Sequence, residues 1–127
     1  MANRFLKKII AQNKEDLRVI SALCSEARIK QSDMKFLKKN KIFLILLERN
    51  NKENNNKEKI NSILKFGFVE KSLSKNIDQS KDNNILELLA IDIFRKEKNY
   101  EIVLLFSNNG IITLFCEIID CTLEDVQ

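Results

Sequence analysis

Asn84-Ile-Leu-Glu-Leu-Leu-Ala-Ile-Asp-Ile-Phe94, Tyr100-Glu-Ile-Val-Leu-Leu-Phe106, Ser107-Asn-Asn-Gly110 and Ile111-Ile-Thr-Leu-Phe-Cys-Glu-Ile-Ile119 are the runs that decide the fold. β-branched and aromatic residues fill the apolar runs and turn residues part them, the pattern of consecutive antiparallel strands. Asn109-Gly110 is the strongest hairpin signal, because both residues tolerate the positive φ of a tight turn. A meander is therefore expected, with strands at about 85–94, 100–107 and 111–121. Tyr100, Ile102, Leu104 and Phe106 would share one face of the second strand, and Ile112, Leu114, Cys116 and Ile118 one face of the third. Ile85 to Phe94 also fits helical spacing through Leu86, Leu89, Ala90 and Ile93. The alternation into Phe94 and the hairpin beyond it favour a strand. Thr122 would cap a final turn holding Leu123 and Val126.

Upstream, Arg4 to Ile10 alternates loosely, as a first strand does. Asn13 offers an N-cap oxygen, and Glu15 and Asp16 place negative charge in a first helical turn. Leu17, Ile20 and Cys24 then recur at spacings of three and four, predicting an amphipathic helix from Lys14 to about Ser25. Such a helix is too short to stand alone and must pack on the sheet. Ala27 to Gln31 reads as a short strand and Ser32-Asp33 as a turn. Met34 to Leu37 and Ile42 to Glu48 flank Lys38-Lys39-Asn40-Lys41, a hairpin with a basic tip. Ile42-Phe-Leu-Ile-Leu-Leu47 is apolar at every position, which predicts a central strand covered on both faces, by a second sheet and by the helix. Arg49 to Lys59 contains no apolar residue and reads as a polar surface loop. Ile63 to Val69 alternates, with Leu64, Phe66 and Phe68 on one face, and is expected to continue through Leu73 with a bend at Gly67.

A chain of 127 residues is expected to be one domain, 1–127, with that loop at about 49–59. With 44% hydrophobic and 31% charged residues it reads as globular. The N-terminus lacks a continuous apolar core and a small-residue cleavage site, so no signal peptide is expected and the default location is the cytoplasm. Cys24, Cys116 and Cys121 leave one thiol over after any pairing, which suits a reducing compartment. On one extended strand, Cys116 and Cys121 would point to opposite faces. The net charge of +4 is uneven: residues 1–75 carry 18 Lys/Arg against 8 Asp/Glu, residues 76–127 carry 4 against 10. That asymmetry fits a basic binding face, or two compensating halves of one sheet system.

The order of pieces resembles a known family. Leu6-Lys-Lys-Ile-Ile-Ala11, Glu15-Asp-Leu-Arg-Val-Ile-Ser-Ala22, Ala27-Arg-Ile-Lys30, Ile42-Phe-Leu-Ile-Leu-Leu-Glu-Arg49, Leu88-Leu-Ala-Ile91 and Ile112-Thr-Leu-Phe-Cys-Glu-Ile-Ile-Asp-Cys-Thr-Leu-Glu-Asp125 look like short alphaproteobacterial proteins known as domain of unknown function 2948. The resemblance spans nearly the whole chain, and the Asn/Lys-rich stretch near 50–59 departs from it. It implies no activity and assigns no functional residue.

The chain has no histidine, which excludes Ser-His-Asp and Cys-His nucleophile systems and His-ligated zinc. Gly67 and Gly110 are its two glycines, so no glycine-rich phosphate loop exists. A histidine-free enzyme would need an exposed low-pKa thiol or a buried carboxylate such as Asp92. Cys24 and Cys116 read instead as core fillers and Asp92 as a solvent-facing residue. Glu117, Asp120, Glu124 and Asp125 form an acidic group that reads as a solvated end. Nucleic-acid binding would use Arg4, Lys7, Lys8, Lys30, Lys35 and above all the Lys38, Lys39 and Lys41 tip; Phe36 and Phe43 look core-directed rather than placed for base stacking.

The expected fold is α+β: about eight mostly antiparallel strands in a sandwich or half-open barrel, with one N-terminal amphipathic helix. A pleckstrin-homology-like roll is one specific form, though the C-terminal helix of such a roll is missing. The expected function is a non-catalytic protein-interaction or ligand-binding module. Neither a cofactor nor a metal is expected, and the partner would be another protein or a second copy through an exposed strand.

Overall fold

The computed structural model describes residues 6–50 and 58–126. Ten strands and one α-helix follow one another: β1 (Lys8–Ala11), α1 (Lys14–Cys24), β2 (Ala27–Lys30), β3 (Met34–Leu37), β4 (Ile42–Asn50), β5 (Lys59–Phe66), β6 (Val69–Lys75), β7 (Ile85–Lys96), β8 (Asn99–Phe106), β9 (Ile111–Cys116) and β10 (Cys121–Val126). All pair antiparallel in one sheet of order β1-β10-β5-β4-β2-β7-β8-β9-β6, with β3 on β4. The α+β class holds, and Ile85–Phe94 is strand. The sheet is open and not closed into a barrel. Among the described residues α1 is the one α-helix, and the last element described is the strand β10.

One corner bends this single sheet back on itself. β5 and β6 are joined by Gly67 and Phe68 alone, yet β5 pairs with β10 and β6 with β9. The β5–β10 ribbon therefore bends and continues as the β6–β9 ribbon, with Phe66 opposite Cys121 before the corner and Val69 opposite Cys116 beyond it. Gly67 lets the strands approach at the bend: a Cβ there would lie 2.7 Å from Asp120 Oδ2, and its N–H donates to Asp120 O at 2.8 Å. Phe68 takes the turn itself at φ 56 and stays 45% exposed, off the buried face of Leu64 and Phe66 where alternation placed it. The expected strand 111–121 is thus two strands. Thr122 caps no turn; it lies within β10, between β1 and β5.

α1 fills the concave side. Asn13 caps it, its Oδ1 accepting the Asp16 N–H at 2.8 Å, and Leu17, Ile20 and Cys24 are its buried stripe. Beyond the end of β2, the N–H of Ile91 donates to Ser21 Oγ of the helix at 2.9 Å. Phe43, Ile45 and Leu47 face this core, while Leu46 is 42% exposed. β4 is therefore central but covered on one face, since among the described residues no second sheet lies over it. The Ser107–Asn109 turn carries positive φ at Asn108 and Asn109, not at Gly110, whose φ is −69. Asparagine tolerates the left-handed region. Gly110 is needed for space: a Cβ would sit 3.2 Å from Ile77 Cγ1 and 3.3 Å from Phe106 Cβ.

Candidate functional site

Three places in the fold hold chemistry or surface that packing alone does not use. One is the outer face of β7–β8–β9–β6. Register places Ala90, Leu105 and Ile111 side by side, then Val103, Thr113 and Leu73 next to Asp92, then Phe94, Glu101 and Phe115. Their strand neighbours Ile102, Leu104, Ile112 and Leu114 point into the core, so these residues point outward, half-buried or exposed. Each row also carries charge, Lys75 in the first, Asp92 in the second, Glu101 and Lys71 in the third. Asp92 and Glu101 lie on the β7–β8 side; Lys75 and Lys71 lie on β6, Lys71 Nζ being 5.6 Å from the Phe115 ring centroid.

A second is a cleft of about 280 Å³ at the gap between the unpaired edges of β3 and β6. At one end β6 reaches the start of β4, the Val69 N–H donating to Lys41 O at 2.8 Å. At the other, the connection from β6 to β7 is tied to the β2–β3 turn: Gln31 N–H donates to Asn84 O at 2.8 Å and Ser32 N–H to Asp82 O at 3.0 Å. Met34, Phe36, Phe43, Ile77 and Ile112 give the cleft its apolar walls, and Gln31, Ser72, Ser74 and Gln79 its polar ones. Ser72 and Ser74 stand opposite Leu114 and Ile112. They put hydroxyls at inward positions where the rest of the sheet places aliphatic side chains. Gln31 is 7% exposed; its Nε2 donates to Asp78 O at 2.7 Å, and its Oε1 has no partner among the described residues.

The third is a buried ion pair. Arg49, 1% exposed, and Asp125, 4% exposed, meet at 2.7 Å (Nη2–Oδ2) and 3.0 Å (Nε–Oδ1), and Ser62 Oγ donates to Asp125 Oδ1 at 2.6 Å. The Lys7 N–H adds a bond to Asp125 Oδ2 at 3.1 Å. Burial opposes the charge on Asp125, but the bonds from Arg49, Ser62 and Lys7 outweigh it and hold its carboxyl below the usual range. Neither residue is where composition put it. Arg49 lies within β4 instead of opening a loop, and Asp125 faces inward instead of joining a solvated end; residues 51–57 of the expected loop lie outside the described residues.

The expected basic tip forms as the turn between β3 and β4, and one of its lysines has acidic neighbours. Lys38 and Lys39 are exposed on a short turn, whereas Lys41 Nζ binds Glu70 at 2.8 Å and lies 3.6 Å from Glu117. The hydrogen bond to Glu70 is the first cause holding Lys41 above its usual pKa. Lys8 and Lys35 fall on β1 and β3, with β10, β5 and β4 between them, and Arg4 lies outside the described residues. Asp92 is exposed and its Oδ1 accepts the N–H of Ile93 at 2.9 Å. All three cysteines are buried thiols, so Cys116 and Cys121 share the interior that a single strand would have denied them. Burial pushes the Cys116 thiol up to about 12, helped by Glu70, and burial raises Cys121 likewise, helped by its neighbours. Neither group considered for a histidine-free active site thus has the environment it would need. Among the described residues no three His, Cys, Asp or Glu side chains group to hold a metal ion. No helix among them is long and apolar enough to cross a membrane.

These features define an α+β domain built on one cornered antiparallel sheet. The chain belongs to the family described as Protein of unknown function (DUF2948), which matches residues 7–127. No curated protein and no solved structure matches it. Sequence reading had pointed to neither the cleft nor the ion pair. The outer face did have a signal, since β8 and β9 are apolar at consecutive positions and α1 can cover only one side.

Proposed function

We propose that this chain is a non-catalytic protein-interaction module that pairs with a second copy through the outer face of β7–β8–β9–β6. The observation that carries this reading is a group of outward apolar side chains spread over four strands, Ala90, Leu105 and Ile111, then Val103 and Leu73, then Phe94 and Phe115, a pattern typical of interaction surfaces. The charges on this face favour self-pairing. A two-fold axis between the faces and parallel to the strands carries β7 of one copy over β6 of the other. That sets Asp92 over Leu73, between Lys71 and Lys75, and Glu101 over Phe115, beside Lys71, the self-complementarity an isologous dimer requires. A reducing, cytoplasmic setting fits three thiols buried in the core.

Light scattering coupled to gel filtration tests it, at low and high salt and with mixed oligonucleotides. The expected result is a dimer that persists at high salt, because apolar contact is not screened, and that ignores the nucleic acid. Val103→Glu, in the middle row, should give a monomer with an unchanged circular dichroism spectrum. A native monomer at ~0.5 mM, or a monomer that co-elutes with oligonucleotide at low salt only, would reject the proposal, the latter in favour of the exposed Lys38 and Lys39.

A further inference from the structure

We infer that the β3–β6 cleft is a binding site for a small uncharged molecule with one apolar and one polar side, which donates one N–H or O–H hydrogen bond to Gln31 Oε1. The orphaned oxygen supplies the polarity of the contact. Gln31 Nε2 is fixed on the Asp78 carbonyl, and turning the amide over would set two oxygens against each other. The remaining Oε1 is a buried acceptor without a partner among the described residues, which is costly unless something donates to it. The walls set the charge. No Lys, Arg, Asp or Glu lines the cleft, so an ionised ligand would leave water without compensation. They also set the shape. The Phe36 and Phe43 rings, 6.4 Å apart between centroids, form an aromatic side, and about 280 Å³, just below the ~300–1,000 Å³ of drug-sized ligand clefts, limits the occupant to a small molecule. Ser72 and Ser74 on the facing strand leave hydroxyls for a second polar contact, Ser74 Oγ already accepting from Gln79 Nε2 at 2.9 Å.

Three probes of one shape separate these requirements: indole, 1-methylindole and indole-3-carboxylate, titrated into isotope-labelled protein and followed by ¹⁵N–¹H NMR. Indole should give saturable shifts confined to Gln31, including its side-chain amide, and to Met34, Phe36, Ser72 and Ser74. Without the donor, 1-methylindole should bind about tenfold more weakly, and the charged carboxylate at least as poorly. In Gln31→Leu, indole and 1-methylindole should bind alike. The comparison of probes on the native chain stands even if that variant fails to fold. Equal binding of indole and 1-methylindole to the native protein would overturn the inference. So would shifts that map to β7–β9, or no saturation up to the solubility of indole.

Discussion

Arg49, Ser62 and Asp125 occupy inward positions on β4, β5 and β10, where Leu and Phe would otherwise continue the core. Removing one partner of such a pair strands a buried charge, so Asp125→Asn should cost about 3–5 kcal/mol in urea unfolding. Arg49→Met with Asp125→Leu should cost much less than either change alone. The pH dependence has a definite sign. The Asp125 carboxyl titrates lower in the folded than in the unfolded chain, so its contribution is complete above about pH 4 and is lost as pH falls through the folded value. Unfolding midpoints measured from about pH 6 down to 2 should fall less steeply for the double variant than for the native protein. The thiols obey the same physics with the opposite outcome. With Cys116 at about 12 and Cys121 raised by burial, neither should react with a disulfide reagent at pH 8 until denaturant opens the core.

Helix α1 and the corner are decisions made by whole elements. The helix has 11 residues, too few to persist without the sheet, and its stability rests on the cap and on Leu17 and Ile20. Asn13→Ala should lower stability by about 1 kcal/mol and leave the fold intact, which thermal unfolding would show. These features were legible because they are local: an N-cap side chain and a spacing of three and four need no knowledge of the rest of the chain. The β5–β6 corner was half legible. Gly67 marked a bend, but the left-handed Phe68 beside it could not be foreseen, since its conformation comes from Val69 N–H meeting Lys41 O and Gly67 N–H meeting Asp120 O. Val103→Glu belongs to this scale as well, because the outer face exists as a unit once β6 has joined β9.

Across the whole molecule, β10 is next to last in the sheet order beside β1, so residues from the two ends of the chain close the fold: Lys8 lies opposite Glu124 and Ala11 opposite Cys121. Contacts this distant in sequence carry a loop-closure cost before they stabilise anything, and refolding should fall in the millisecond-to-second range by stopped-flow fluorescence of Tyr100 or by circular dichroism. By itself the sequence determined the element types, the antiparallel meander, the helix with its cap and the exclusion of histidine chemistry, since each depends on residues within a few positions of one another. Tertiary structure alone decided which strands meet at the corner, that Arg49 and Asp125 are buried together, that Lys41 pairs with Glu70 beside Glu117, and that a gap between β3 and β6 leaves Gln31 Oε1 without a donor among the described residues. Alternation tells a strand that it has two faces. Which face meets a helix, a partner or a ligand depends on where a sheet of ten strands is forced to turn.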